Sequence, residues 1–346
     1  MTAAATSPAR DAALLSLGHA LQERGYRFDT VTPATQARVN ARPGNAWARR
    51  VEDVFGWSRP FAADVLPGGW LEAMREAGVV EPFDGGWRST VRASTLDDRL
   101  FLHSAWPTTA PDAVFFGPDS VRFVAAIERH LAHREGPVRS AVDVGSGAGP
   151  GAIAVAGRCP DARVVGVDIN DAALRLAALN AQLAGTANAR FQRSDLLSDV
   201  EGAFDLVVAN PPYLLDAGAR AYRHGGGSLG EGLSVDIAGL AATRLAPGGT
   251  LLLYTGAAIV DGHDGLCRAL AARLDGESAL AWRYEELDPD VFGEELDEPA
   301  YGHVDRIAAV LLTVWRRDDA RPGPSAAGRS TRSSPESSTR PAEPEA

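Results

Sequence analysis

The sequence predicts an α/β protein: an open, mostly parallel sheet of seven strands with helices on both faces, preceded by a small helical domain. From Ser140 onward, short β-rich runs alternate with helical segments, the order that builds parallel strands joined by crossover helices. Ahead of about residue 110 the pattern is helical and closes on two short strand-like runs. The final stretch is Pro, Ser, Arg, Gly and Glu with almost nothing apolar, so it has too little to bury to offset chain entropy and is expected to be disordered. The expected division is therefore 8–110, 111–317 and a tail over 318–346.

In the first part, residues 11–23 place Leu14, Leu15, Leu17 and Leu21 at roughly helical spacing. Further helices are expected over 46–55, 59–65 and 69–77. Strands are expected over 87–93 and 99–104, around the turn Leu96-Asp97-Asp98. Helices followed by a two-stranded wing suggest a winged-helix-like module for substrate recognition. Arg38, Arg42, Arg49 and Arg50 give it a basic cluster, which is either a docking face, for instance for RNA, or a solvated helix surface. In the second part, strands are expected over 141–144, 163–167, 190–192, 204–209, 250–254, 279–284 and 306–315. Helices are expected over 171–184, 235–245 and 265–274. Ligands of such a sheet gather at the carboxyl ends of its first strands.

Composition narrows the function classes. Hydrophobic residues make up 45 % and charged residues 23 %, as in ordinary soluble domains. No apolar run approaches the roughly 20 residues that cross a bilayer. The start, MTAAATSPARD, lacks the positive end and apolar middle of a signal peptide. The two cysteines, Cys159 and Cys267, show neither metal nor disulfide spacing, and the seven histidines form no metal motif, so a reducing cytoplasm and no metal are expected. A net charge of −11 argues against indiscriminate nucleic-acid binding. All 34 basic residues are arginine, which reflects codon usage rather than chemistry.

Four sites carry the chemistry. The first is Asp143-Val144-Gly145-Ser146-Gly147-Ala148-Gly149-Pro150-Gly151, a strand end running through a glycine turn into a helix. Gly145, Gly147 and Gly149 let the backbone turn tightly and approach a ligand. A G-x-G-x-x-A dinucleotide pattern also runs from Gly147 to Ala152, so the glycines alone leave a nicotinamide cofactor open. Asp143 favours a cationic ligand without phosphate, such as S-adenosylmethionine. The second is Asp168, ending strand two, placed to accept both ribose hydroxyls; capping of the next helix suits Asn170 or Asp171 better. The third is Asp195, able to take an adenine amine while Leu196 packs on the ring. The fourth is Asn210-Pro211-Pro212-Tyr213 after strand four. Its prolines fix a rigid platform. The Asn210 side-chain oxygen and the Pro211 carbonyl could both accept from one NH₂ group and aim its lone pair, with Tyr213 stacking on a flat acceptor.

These residues resemble a known group. Residues 114–316 look like a class I methyltransferase of the small-methyltransferase group, which includes HemK-type release-factor glutamine methyltransferases and several ribosomal-RNA base methyltransferases. The matching runs are DVGSGAG at 143–149, VDIN at 167–170, SDLL at 194–197 and NPPY at 210–213. Phe116-Gly117-Pro118-Asp119-Ser120 is similar to the segment that closes over the methionine end of the cofactor. The resemblance implies a Rossmann-like seven-stranded sheet and S-adenosylmethionine as cofactor. Candidate cofactor residues are Asp143, Gly145, Gly147, Gly149, Asp168, Ile169, Asp195, Leu196 and Asn210; candidate catalytic residues are Asn210, Pro211, Pro212 and Tyr213. The Gly230–Leu233 run fits the HemK-type loop after NPPY, whereas Tyr222–Gly227 departs from it, and His224 there could touch an acceptor. The expected activity is methylation of an amide or exocyclic amine nitrogen of a macromolecule, a protein glutamine such as a release factor's or a nucleic-acid base such as ribosomal RNA's. The alternatives are N-methylation of a small metabolite and a nicotinamide-dependent dehydrogenase.

Overall fold

The computed structural model describes residues 7–215 and 223–318. The tail expected to be disordered, from 319 onward, and Tyr222 of the acceptor loop lie outside the described residues. Helix α1 (Pro8–Glu23) is capped by Ser7, whose side chain accepts from the Arg10 N–H, and it buries Leu14, Leu17 and Leu21. Then come α2 (Pro33–Asn40), which was not among the expected elements, α3 (Val51–Phe55) and α4 (Trp70–Ala77). The helix expected over 46–55 shrinks to α3. The helix expected over 59–65 does not form: Phe61 is fully buried and pairs with Trp87 as an isolated bridge, leaving only a 3-10 turn at Ala63–Val65.

Where one hairpin is expected, two form. β1 (Val80–Phe83) pairs with β2 (Gly86–Ser89), and β3 (Val91–Leu96) pairs with β4 (Arg99–Ser104). The expected strand over 87–93 breaks at Thr90, whose N–H donates to the Val79 carbonyl and so turns the chain from one hairpin to the next.

The large sheet follows: α5 (Pro118–His133), β5 (Ser140–Val144), α6 (Pro150–Arg158), β6 (Arg163–Asp168), α7 (Asp171–Leu183), β7 (Ala189–Arg193) and β8 (Phe204–Ala209). After the undescribed residues come α8 (Gly232–Arg244), β9 (Leu245–Val260), β10 (His263–Asp264), α9 (Gly265–Leu274), β11 (Leu280–Asp288) and β12 (Arg306–Arg316). The strand order is β11-β12-β9-β8-β5-β6-β7, with the short β10 added beside β9. Neighbours from β7 to β9 run parallel, and β12 runs antiparallel to both of its own. The expected seven-strand α/β sheet is present.

Topology already places a ligand site. The chain leaves β5 toward β6 on one side and returns to β8 on the other, so a crevice opens where the winding reverses. Register aligns Val144 with Val167 on one side and with Ala209 on the other. The residues that follow, Gly145, Asp168 and Asn210, therefore emerge side by side.

Apolar clusters cover both faces of the sheet. One of them runs without a break from Leu14, Phe55 and Phe101 in the N-terminal part to Ile153, Leu179 and Leu183 beside the sheet. Asn180, fully buried on α7, joins the two parts. Its Oδ1 accepts from the Leu102 N–H at 2.8 Å, while its Nδ2 donates to the carbonyls of Leu102 and Ala148, each at 2.9 Å. Asn180→Ala strands three buried backbone groups and is expected to cost about 2–4 kcal/mol of stability in urea denaturation.

Candidate active site

The glycine turn between β5 and α6 forms the floor of a cleft. Gly145 and Gly147 have φ of +71° and +52°, and a β-carbon on either would meet nothing within 4 Å. Both line the cleft, so the backbone is bare where a ligand would lie against it. Gly149, expected to meet the cofactor, points elsewhere. It caps α6, is not among the cleft residues, and packs against Ala177, 3.1 Å from where its β-carbon would be.

Asp143 sits behind this floor, 1 % exposed, and is not part of the cleft wall. Its Oδ2 accepts from the Ala152 N–H at 2.8 Å, within the first turn of α6. Pro150 offers no donor there. The helix end that would hold a pyrophosphate thus already holds the chain's own carboxylate, which argues against the dehydrogenase reading. Asp143 Oδ1 and the neighbouring Ser146 Oγ are buried without a protein partner among the described residues.

Burial pushes the Asp143 carboxyl up to about 7; the Ala152 N–H opposes this and the Asp168 charge adds to it. A carboxyl raised in the folded state stabilises the fold as the neutral acid. That contribution is complete below about pH 3.8 and is lost as pH rises through about 7. Cofactor-free protein is therefore expected to lose urea resistance between pH 5 and 8. Asp143→Asn should flatten that slope, which isolates it from the same-signed contribution of Asp168.

Asp168 ends β6 and lines the cleft. Its Oδ2 accepts from the Gly147 N–H and its Oδ1 from the Asn170 N–H, both at 2.9 Å. The carboxylate thus pins the glycine turn. Each oxygen keeps a second lone pair, enough for one ligand hydroxyl apiece. Burial raises its pKa, and the backbone donors pull the other way. Asn170 caps α7 by accepting from the Ala172 N–H, and its Nδ2 donates to the Asp112 carbonyl, tying the segment before α5 to this wall. Ile169 is 48 % exposed, unusual for so large an apolar side chain, and it lies on the cleft. Asp195 and Leu196 line the same end. Leu196 holds φ of +50°, a conformation that leucine adopts only when its surroundings impose it.

Asn210, Pro211, Pro212 and Tyr213 form the opposite wall. Among the described residues, no protein group bonds the half-buried Asn210 amide, so its oxygen stays available to a ligand. Tyr213 departs from expectation. Its ring is 7 % exposed, lies against Gly256 on β9, and meets Phe292 edge-on at 6.0 Å. Its hydroxyl donates to Asp119 Oδ2 at 2.7 Å. The ring is part of a fixed wall rather than a free stacking surface. His224 is exposed and is not among the cleft residues; the chain there pairs with Leu214 through a bridge.

Sequence reasoning missed several wall residues. Phe115 and Phe123 flank the Phe116–Ser120 segment that the resemblance already pointed to, and Pro33 comes from the start of α2. The α5 start had a signal, Gly117-Pro118 followed by apolar residues at helical spacing. Phe292 and Arg223 had none, since they reach the cleft only through tertiary folding. Arg223 pairs there with the buried Glu295.

The wall suits a sulfonium nucleoside. Carboxylates face it at Asp168 and Asp195, apolar surface at Ile169 and Leu196, and bare backbone at Gly145 and Gly147, while the guanidinium of Arg223 on the cleft is paired with Glu295. Comparison with known proteins agrees. Residues 124–257 match the family described as methyltransferase small domain. A release factor glutamine methyltransferase of Bordetella pertussis is 32 % identical over 208 residues, 54 % of this chain and 75 % of that protein. The chain belongs to the methyltransferase small-domain family. S-Adenosylmethionine is the cofactor that goes with this methyltransferase. The release factor glutamine methyltransferase of Mycobacterium leprae is 41 % identical over 125 residues, 31 % of this chain and 43 % of its own length. The 4-amino-L-phenylalanine/4-methylamino-L-phenylalanine methyltransferase of Streptomyces pristinaespiralis is 35 % identical over 125 residues, 33 % of this chain and 43 % of its own length. The match thus spans about half or less of most such relatives. Among the described residues, no helix of this methyltransferase is long and apolar enough to cross a membrane.

Proposed function

We propose that this methyltransferase N-methylates a planar NH₂ group of a macromolecule, a protein glutamine such as one in a release factor, in the cytoplasm. The observation that carries the reading is the uncommitted Asn210 amide on a proline-fixed platform, across the cleft from the Asp168 carboxylate. S-Adenosylmethionine supplies, when bound, an electrophilic methyl group on a cationic sulfur. Asp168 would hold the ribose hydroxyls, Asp195 the adenine amine, and Ile169 and Leu196 its faces. Asn210 and the Pro211 carbonyl would accept the two N–H bonds of the acceptor, turning its lone pair toward the donor. The protein's contribution is orientation and electrostatics, with no covalent enzyme intermediate. The new N–C bond would form as the methyl–sulfur bond breaks, its electron pair staying on sulfur to leave neutral S-adenosylhomocysteine, and the methylated nitrogen would release one proton to water.

The release-factor reading rests on the relatives' names, and the aryl-amine relative supports a second acceptor, a small aromatic amine. The test offers methyl-labelled S-adenosylmethionine with purified release factor, ribosomal RNA and 4-amino-phenylalanine in parallel, followed by mass spectrometry of the product. Label on a glutamine of the release factor is the expected result. Label on RNA alone would keep the macromolecular reading but move it to a base amine. Label on the small amine alone would replace the macromolecular reading, and label on none of the three would remove it.

A further inference from the structure

The two halves of the cleft meet at one buried side chain. Asp119 lies in the first turn of α5 and is 5 % exposed. Its Oδ2 accepts from the Tyr213 hydroxyl and its Oδ1 from the Tyr254 hydroxyl, both at 2.7 Å. Tyr254 is fully buried on β9, the strand beside the one that ends in Asn210. Arg122 stands 3.6 Å from Asp119 Oδ1 and is engaged at 2.8 Å by Asp288 on β11. Asp119 also lines the cleft with its helix neighbours Ser120 and Phe123, and Phe123 lies next to Gly151 in α6. Asp119 therefore lines the cleft from α5 and holds Tyr213 of the acceptor wall through its carboxylate.

We propose that Asp119 is a positioning residue that locks the acceptor platform to the donor wall through Tyr213, so that donor binding orders the platform and the acceptor follows. This rests on the proposed methyl-transfer reading. Packing alone gives no reason for the arrangement: leucine at 119 and phenylalanine at 213 and 254 would fill the same space without desolvating a carboxylate. What the carboxylate adds is direction. Two short bonds to a charged acceptor orient both phenol rings, and the Tyr213 ring also packs against Gly256 and meets Phe292 edge-on. Burial raises the Asp119 pKa, while the two phenols and Arg122 favour the charged form. α5 thus cannot settle on a ligand without carrying the Tyr213 ring with it.

The test is amide hydrogen exchange, with and without S-adenosylmethionine, on wild type, Asp119→Asn and Tyr213→Phe. In the wild type the donor is expected to slow exchange at 118–124 and also at 213–214. In either variant the first protection should remain and the second should be lost, with donor affinity within about threefold by calorimetry. Turnover on release factor should fall about 10–100-fold with little change in acceptor KM, and the double variant should lose no more than the worse single one, since both cut the same link. Tyr213→Phe removes a single oxygen and carries the test if Asp119→Asn does not fold. Donor protection of 213–214 that survives in the variants, or losses that multiply in the double variant, would overturn the proposal while leaving the methyltransferase reading intact. A wild type that shows no donor binding at all would remove both.

Discussion

Asn210→Ala is expected to lower turnover about 100–1,000-fold while S-adenosylmethionine affinity stays within about threefold. The split follows from position. Asn210 lines the cleft beyond the glycine turn from Asp168, and in the proposed reading its uncommitted amide meets the acceptor rather than the donor. Its hydrogen bond matters most as the acceptor nitrogen begins to bond carbon, so the loss falls on the rate and not on ground-state binding. Asn210→Asp separates roles further, because a carboxylate still accepts hydrogen bonds. Partial activity with aspartate and near-zero activity with alanine would support the accepting role. Near-normal turnover in both would sink it, along with the claim that an NH₂ group is methylated. Rates from radiolabel transfer and affinities from calorimetry settle the matter.

Asp168→Ala is expected to weaken donor binding by about 2–4 kcal/mol, roughly 30- to 1,000-fold. Two losses combine. The ribose hydroxyls would lose their charged acceptor, and the Gly147 and Asn170 N–H groups would lose theirs, which loosens the turn on which the donor rests. Asp168→Asn keeps one accepting oxygen and should fall between wild type and alanine. The product analogue S-adenosylhomocysteine should weaken in parallel, because Asp168 acts on the nucleoside end that both share. Tight NADH binding by the wild type would contradict the assignment outright.

Much of the fold was legible because the sheet half obeys short-range rules. β5, β6 and β8 are rich in Val and largely buried, and Gly145 follows β5, Asp168 ends β6 and Asn210 follows β8, where a parallel strand delivers its ligand residue. The N-terminal part was less legible. Residues 59–65 carry an apolar pattern that suits a helix, but Phe61 finds a better partner in Trp87, 26 positions away, and that bridge decides the backbone. The break at Thr90 is likewise set by a bond to Val79 that no local pattern announces.

The candidate site divides the same way. Asp168, Asn210 and the first two turn glycines stand where spacing places them, because adjacent parallel strands end together. Asp143 and Gly149 do not reach the cleft, because the Asp143 side chain and the Gly149 Cα face α6 and α7 instead. Tyr213 was assigned by its chemistry as a free ring, whereas Asp119, 94 positions away, fixes its direction. Such pairings depend on which elements become neighbours, and sequence spacing says nothing about that.

Asn180 bears on how this architecture could be recombined. Its amide faces β4 and meets both the N–H and the carbonyl of Leu102, standing in for a residue of a neighbouring strand, and it holds the Ala148 carbonyl of the cofactor turn with the same nitrogen. A chimera cut at residue 110, giving this chain another protein's front half, would set that amide against a foreign backbone. The natural unit of exchange is the front half together with α7, so a graft of the first hundred residues alone would break the contact that joins the two parts.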